Sequence, residues 1–152
     1  MELGVHKGET FNRVSKFSSI SYAADISPDS AKHIKNSNSY FYQGDSDSFA
    51  KEFKLKNKKI NLLFIDANHS EQSVKQDFIN FLPYMAEDGV ILLHDGYPLD
   101  ALQSDPGFCG DGYKAISELS KERGNFELMT IPFPPGLSLC RVRTKQVPWE
   151  ES

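Results

Sequence analysis

The feature that most constrains the fold is a strand–helix–strand unit in the middle of the sequence. Ile60-Asn61-Leu62-Leu63-Phe64-Ile65 is a short, mostly apolar run that stops at Asp66, the pattern of a buried strand. After Ser70 the apolar period changes. Val74, Phe78, Phe81, Leu82 and Met85 fall at i, i+4, i+7, i+8 and i+11, which makes one stripe along a helix. Glu87-Asp88-Gly89 reads as a turn, and Val90-Ile91-Leu92-Leu93 as a second buried strand ending at His94-Asp95. A helix between two such strands carries the chain back across a sheet, so the strands lie parallel.

The flanking segments repeat the alternation. Glu2–Val5 is a first strand, followed by a helix from Gly8 that carries Phe11 and Val14. Ile20–Asp25 is a second, and Ser27-Pro28-Asp29 is a helix start with Ser at the N-cap and Pro at the first position. Tyr40-Phe41-Tyr42 is a third, with Phe49 and Phe53 on the helix after it. Beyond Asp95, Gly96–Gly110 is loop-like and Tyr113–Lys121 helical. Phe126–Ile131 and Leu137–Val142 are separated only by Pro132-Phe133-Pro134-Pro135-Gly136. That connection is too short for a crossover helix and predicts an antiparallel hairpin at a sheet edge. The expected fold class is α/β: a Rossmann-like, mainly parallel sheet with helices on both faces and a C-terminal antiparallel hairpin. Residues 1–143 form one domain in this reading, and 144–152 a polar tail.

Charge and composition exclude several functions. The 152 residues carry a formal net charge of −4, which gives no general attraction to nucleic acid or anionic membranes. No apolar run approaches the ~20 residues of a membrane span, and the N-terminus lacks a signal-peptide pattern. Cys109 and Cys140 have neither metal-ligand nor C-x-x-C spacing, so free thiols in a reducing, cytoplasmic setting are expected.

The polar residues that end the predicted strands are the functional candidates, because open parallel sheets bind ligands beyond their carboxyl edge. In Glu2-Leu3-Gly4-Val5-His6-Lys7-Gly8-Glu9-Thr10, Gly4 and Gly8 permit a tight turn against a ligand. The E-x-G-x-x-x-G spacing differs from the G-x-G-x-x-G of a dinucleotide pyrophosphate site. Asp25 is placed to hold ribose hydroxyls, which NAD and S-adenosylmethionine share, or to cap a helix. Asp45 and Ser46 can meet an adenine or cap the helix that follows. Asp66, His94 and Asp95 end neighbouring strands and suit a divalent cation such as Mg²⁺ or Mn²⁺. His69 lies near enough to act as a base toward an acceptor hydroxyl. Tyr97 and Phe108 are candidates to line the acceptor's pocket, whereas Lys54, Lys56, Lys58 and Lys59 read as a solvated face.

Three segments, Glu2–Thr10, Asp66-Ala67-Asn68-His69-Ser70 and Val90–Asp95, resemble class I small-molecule methyltransferases. The closer resemblance is to the branch with macrocin-type sugar O-methyltransferases and cephalosporin-hydroxylase-like proteins. The resemblance runs from Glu2 to about Val142 and implies the strand order 3-2-1-4-5-7-6. It also implies an S-adenosylmethionine site: Glu2, Gly4 and Gly8 at the methionine end, Asp25 at the ribose, Asp45 and Ser46 at the adenine, Asp66 beside them. Asp66, His94 and Asp95 fall where metal-dependent members place their ligands, with His94 where many have an acidic residue. Asn68 stands where some members have an Asp proposed as base, which shifts that role toward His69 or leaves none, with Asp66 the other catalytic candidate. The implied reaction is metal-assisted O-methylation of a sugar or other small hydroxylated metabolite.

Relatives carry an N-terminal segment over the cofactor, whereas this sequence starts inside its first strand. A fragment, a natural minimal form, and cover from a second subunit in a homodimer are the readings open. A catalytically inactive cofactor-binding relative and an NAD-dependent oxidoreductase are the alternative functions.

Overall fold

The computed structural model describes residues 1–122 and 126–143, so the expected polar tail lies outside the described residues. Seven strands form one sheet: β1 (Glu2–Leu3), β2 (Ser21–Asp25), β3 (Ser39–Gln43), β4 (Ile60–Ile65), β5 (Met85–His94), β6 (Phe126–Ile131) and β7 (Leu137–Val142). Their spatial order is β3-β2-β1-β4-β5-β7-β6. β1 to β5 pair in parallel, while β7 runs antiparallel to both β5 and β6. This is the expected order, closing hairpin included.

Among the described residues four α-helices accompany the sheet: α1 (Glu9–Val14), α2 (Ser46–Leu55), α3 (Glu71–Phe81) and α4 (Gly112–Leu119). One sheet face is packed by the last three, through Phe49 and Phe53 of α2, Phe78 and Phe81 of α3, and Ile116 and Leu119 of α4. Leu63, Ile65, Ile91 and Leu93 meet them from the strands, each almost fully buried. The opposite face is covered at one end, where Val5, Phe11 and Ala23 pack with Ile34 and Phe41. Toward β4, β5 and β7 it opens into a groove of about 1000 Å³ lined by Leu62, Phe64, Leu92 and Ile131. No described helix is long and apolar enough to cross a membrane.

Three expectations are corrected. The stripe after Ser70 leaves the helix early. Leu82–Tyr84 is a 3-10 turn, and Met85 already belongs to β5. Pro83 explains this, since it lacks the amide needed to continue the α-helical ladder. Glu87-Asp88-Gly89 is a bulge inside β5 instead of a turn before it: Ile60 pairs with Met85 and Leu62 with Val90, so Asn61 faces the four residues Ala86–Gly89. Ser27 and Pro28 do start a helix, but it is 3-10 throughout, Pro28–His33.

Candidate active site

The site lies along the carboxyl edge of the parallel strands. At β1 the chain leaves the sheet through a turn with three residues in the left-handed region, Gly4 (φ 82°), His6 (φ 45°) and Gly8 (φ 68°). Gly4 is sterically required, because a Cβ there would sit 2.1 Å from the Asp66 carbonyl oxygen. The Gly4 amide donates to Ala24 O at 2.9 Å and the Asp66 amide to Leu3 O at 3.0 Å, which fixes the turn between β2 and β4.

Asp25 braces this turn. Its Oδ2 accepts the His6 amide and its Oδ1 the Ser27 amide, both at 2.8 Å. Burial alone would raise this carboxyl, but those amide bonds outweigh it and hold it below its ordinary value. Each oxygen keeps a second lone pair for a ligand. Glu2 is buried under the turn, where burial and then the Asp66 charge push it up to about 8.

Asp45 and Ser46 are engaged in the scaffold. Asp45 caps α2 by accepting the Ser48 amide at 2.7 Å. The Ser46 hydroxyl donates to Asp77, a buried residue of α3, and so ties α2 to α3. Asp45 retains its other oxygen.

At β4 and β5 four side chains converge. Nε2 of His69 lies 3.6 Å from Asp66 Oδ1 and 3.3 Å from Asp95 Oδ2. Nδ1 of His94 lies 3.2 Å from Asp66 Oδ1 and 3.1 Å from Asp95 Oδ1. Donor atoms of Asp66, His69 and Asp95 all fall within 4.8 Å of one another. The Asp66 carboxylate, then Asp95, pushes His94 up to about 10. Asp66 likewise raises His69. In return the two imidazoles outweigh the burial of Asp66 and hold its carboxyl below its ordinary value. Asp95 is itself in the left-handed region (φ 57°) and nearly buried. Such backbone strain is common where a side chain must be aimed at a site.

The segment Phe108–Gly112 completes the cluster, and of it the sequence reading named only Phe108, for its side chain. Nδ1 of His69 is hydrogen-bonded to the Phe108 carbonyl oxygen. The Gly112 amide donates to the His69 carbonyl at 2.7 Å, and Asp111 accepts the Glu71 amide at 2.9 Å. Gly110 has φ 60°, and a Cβ there would meet His69 O at 2.4 Å. Burial first, then the Asp95 carboxylate, raises the Cys109 thiol to about 11. The alternating glycines in Cys109-Gly110-Asp111-Gly112 were the available signal for such a close approach. Tyr97 and Phe108 are both exposed.

The family described as a methyltransferase domain matches residues 1–96, from the glycine turn through Asp95. The chain belongs to that family. The sheet order and closing hairpin agree, and the NAD-dependent oxidoreductase alternative falls. The methyltransferase fold extends over the rest of the chain as well. The O-methyltransferase TomG from Streptomyces achromogenes, solved with S-adenosylmethionine, is 14% identical with a TM-score of 0.76 over 93% of this chain and 71% of its own. An O-methyltransferase from Bacillus cereus, solved with S-adenosylhomocysteine, is 16% identical with a TM-score of 0.77 over 93% and 72%. MycE of the mycinamycin pathway, solved with Mg, S-adenosylhomocysteine and mycinamycin VI, is 17% identical with a TM-score of 0.69 over 98% and 46%. No curated protein matches the sequence.

Proposed function

We propose that this methyltransferase transfers a methyl group from S-adenosylmethionine to a hydroxyl of a small metabolite, a sugar being the first class to test, with a divalent cation assisting. The observation that carries the reading is one shared edge. The Gly4–Gly8 turn braced on Asp25 adjoins the Asp66, His69, His94 and Asp95 cluster through the Gly4–Asp66 contact. The three solved O-methyltransferases of like fold, all with S-adenosyl ligands and one also with Mg, support it.

The cofactor supplies an electrophilic methyl on a sulfonium. The chain's part is to hold donor and acceptor in line, which is where most of such an enzyme's advantage arises. Glu2, Gly4 and Gly8 serve the methionine end, and Asp25 accepts from the ribose with its remaining lone pairs. Asp45 and Ser46 shape the adenine end by fixing the start of α2. Asp66, His94 and Asp95 would hold a cation, which lowers the proton affinity of a coordinated acceptor hydroxyl. The two carboxylates and the adjoining imidazoles offer fitting donors. Both nitrogens of His69 are committed, one to Phe108 and one to the carboxylates. The proposal therefore turns His69 from a free base into a further member of the cation site.

The test is formation of S-adenosylhomocysteine from S-adenosylmethionine across a panel of sugars and other hydroxylated acceptors, with Mg²⁺, Mn²⁺, Co²⁺ or Zn²⁺ added in turn. Product dependent on both acceptor and cation supports the reading. Cofactor binding without turnover on any acceptor points to the inactive relative, and a folded sample that binds no cofactor contradicts both.

A further inference from the structure

We propose that Asp66, His69, His94 and Asp95 form a site selective for a borderline metal ion of the Zn²⁺ or Co²⁺ kind over Mg²⁺. This deepens the reading above, which asks only for some divalent cation at this edge.

The donor set is the first argument. Mg²⁺ is bound through oxygen and gives up its waters reluctantly, whereas imidazole nitrogen suits Zn²⁺, Co²⁺, Ni²⁺ and their neighbours. Here two imidazoles face two carboxylates, and each imidazole nitrogen approaches both carboxylates. With an ion bound in place of their protons, two neutral imidazoles and two carboxylates carry the charge that one divalent ion balances.

The way each imidazole is held is the second argument. The Nδ1–H of His69 donates outward to the Phe108 carbonyl. Metal-binding histidines are fixed in this way, since that bond sets the tautomer and aims the other nitrogen. Nε2 then faces carboxylate oxygens 3.3 and 3.6 Å away, a position that a proton fills in the metal-free chain and a cation in the loaded one. His94 adds an independent sign: its Nδ1 is buried and makes no hydrogen bond, although two carboxylate oxygens lie 3.1 and 3.2 Å off. A buried polar atom left so asks for an explanation, and a shared cation provides one.

Spacing is the third. A four-coordinate ion with bonds near 2.0–2.1 Å has ligand atoms roughly 3.3 Å apart. The N···O separations in the cluster, 3.1 to 3.6 Å, bracket that value. The cluster is also held in place from outside, by Phe108, Gly110 and Gly112 around His69.

The experiment uses the untagged full chain, stripped of metal, with Co²⁺, Zn²⁺ and Mg²⁺ as probes. Expected is one Co²⁺ per chain with the intense visible absorption of a low-coordinate nitrogen- and oxygen-ligated ion. Zn²⁺ should displace it at equal concentration, and Mg²⁺ should fail to do so at about 1000-fold excess. His69→Ala and His94→Gln should each weaken Co²⁺ binding at least about 10-fold, in samples whose circular dichroism matches the wild type. Displacement by Mg²⁺ at comparable concentration, no Co²⁺ uptake by the folded chain, or unchanged affinity in either variant would overturn the inference. Titration with S-adenosylhomocysteine in the same samples separates the two claims. Cofactor binding without metal selectivity leaves the methyltransferase reading standing and removes this one. Selective metal binding without cofactor binding does the reverse.

Discussion

The turn after β1 and the cluster after β4 and β5 share one sheet edge but are built from different parts of the chain. The turn is main chain: glycines and one left-handed histidine bend the backbone close against β4, and a single carboxylate, Asp25, braces it. The cluster offers side chains, two carboxylates and two imidazoles, clamped by a backbone loop from behind. The turn should therefore be sensitive to added volume and the cluster to changed chemistry. A ligand held mainly by shape would sit at the turn, and proton or cation chemistry at the cluster.

The largest effect is expected at Gly4. Gly4→Val places a branched side chain at φ 82° with its Cβ 2.1 Å from the Asp66 carbonyl oxygen. Cofactor binding should fall at least about 100-fold, or the chain should fail to fold. Calorimetric titration with S-adenosylhomocysteine and circular dichroism read the two outcomes, and a near-normal affinity would erase the contrast between the regions. Asp95→Asn comes next. It removes a charge from the cluster with little change of volume, so turnover should drop about 100-fold while the cofactor Kd moves less than about threefold. Comparable loss in both would show that the two regions do not divide the work.

Asp77 tests the claim that Ser46 belongs to the scaffold. Burial pushes the folded carboxyl from 3.8 to about 6, despite the Ser46 hydrogen bond. The native state thus binds this proton more tightly than the unfolded chain does. The resulting stability is fully present below about pH 4, declines as pH rises to about 6, and stays lost above it. Asp77→Asn should remove up to about 3 kcal/mol of that decline, seen as a flatter denaturation midpoint between pH 4 and 7. An unchanged pH profile would mean the buried carboxyl is not strained. The smallest effect is at Asp25: Asp25→Asn should weaken the cofactor about tenfold, the scale of one charge-assisted hydrogen bond, with kcat little altered.

The sequence showed most of the fold because its strands are nearly continuous apolar runs. Ile60–Ile65 is a strand over the same residues as its apolar run, and the hairpin follows from the five residues between β6 and β7. It misled where local chemistry overrode periodicity, at Pro83 and in the bulge that absorbs Glu87-Asp88-Gly89. In the site, Asp66, His94 and Asp95 were legible because polar residues closing apolar strands stand out. What could not be read was that His69 also turns inward. That depends on Phe108 and Gly112, about forty residues away in sequence, and no spacing rule connects them. The capping of α2 by Asp45 was visible as one of two options, and the structure shows the cap.

The central claim, that the β1 turn and Asp25 hold the nucleoside cofactor beside the polar cluster, is tested most directly by amide chemical shifts during titration with S-adenosylhomocysteine. The account predicts saturable shifts confined to residues 4–8, 25–27, 44–46 and 66–69, with β6 and β7 unmoved. A folded chain whose shifts do not change, or change only away from that edge, would contradict it.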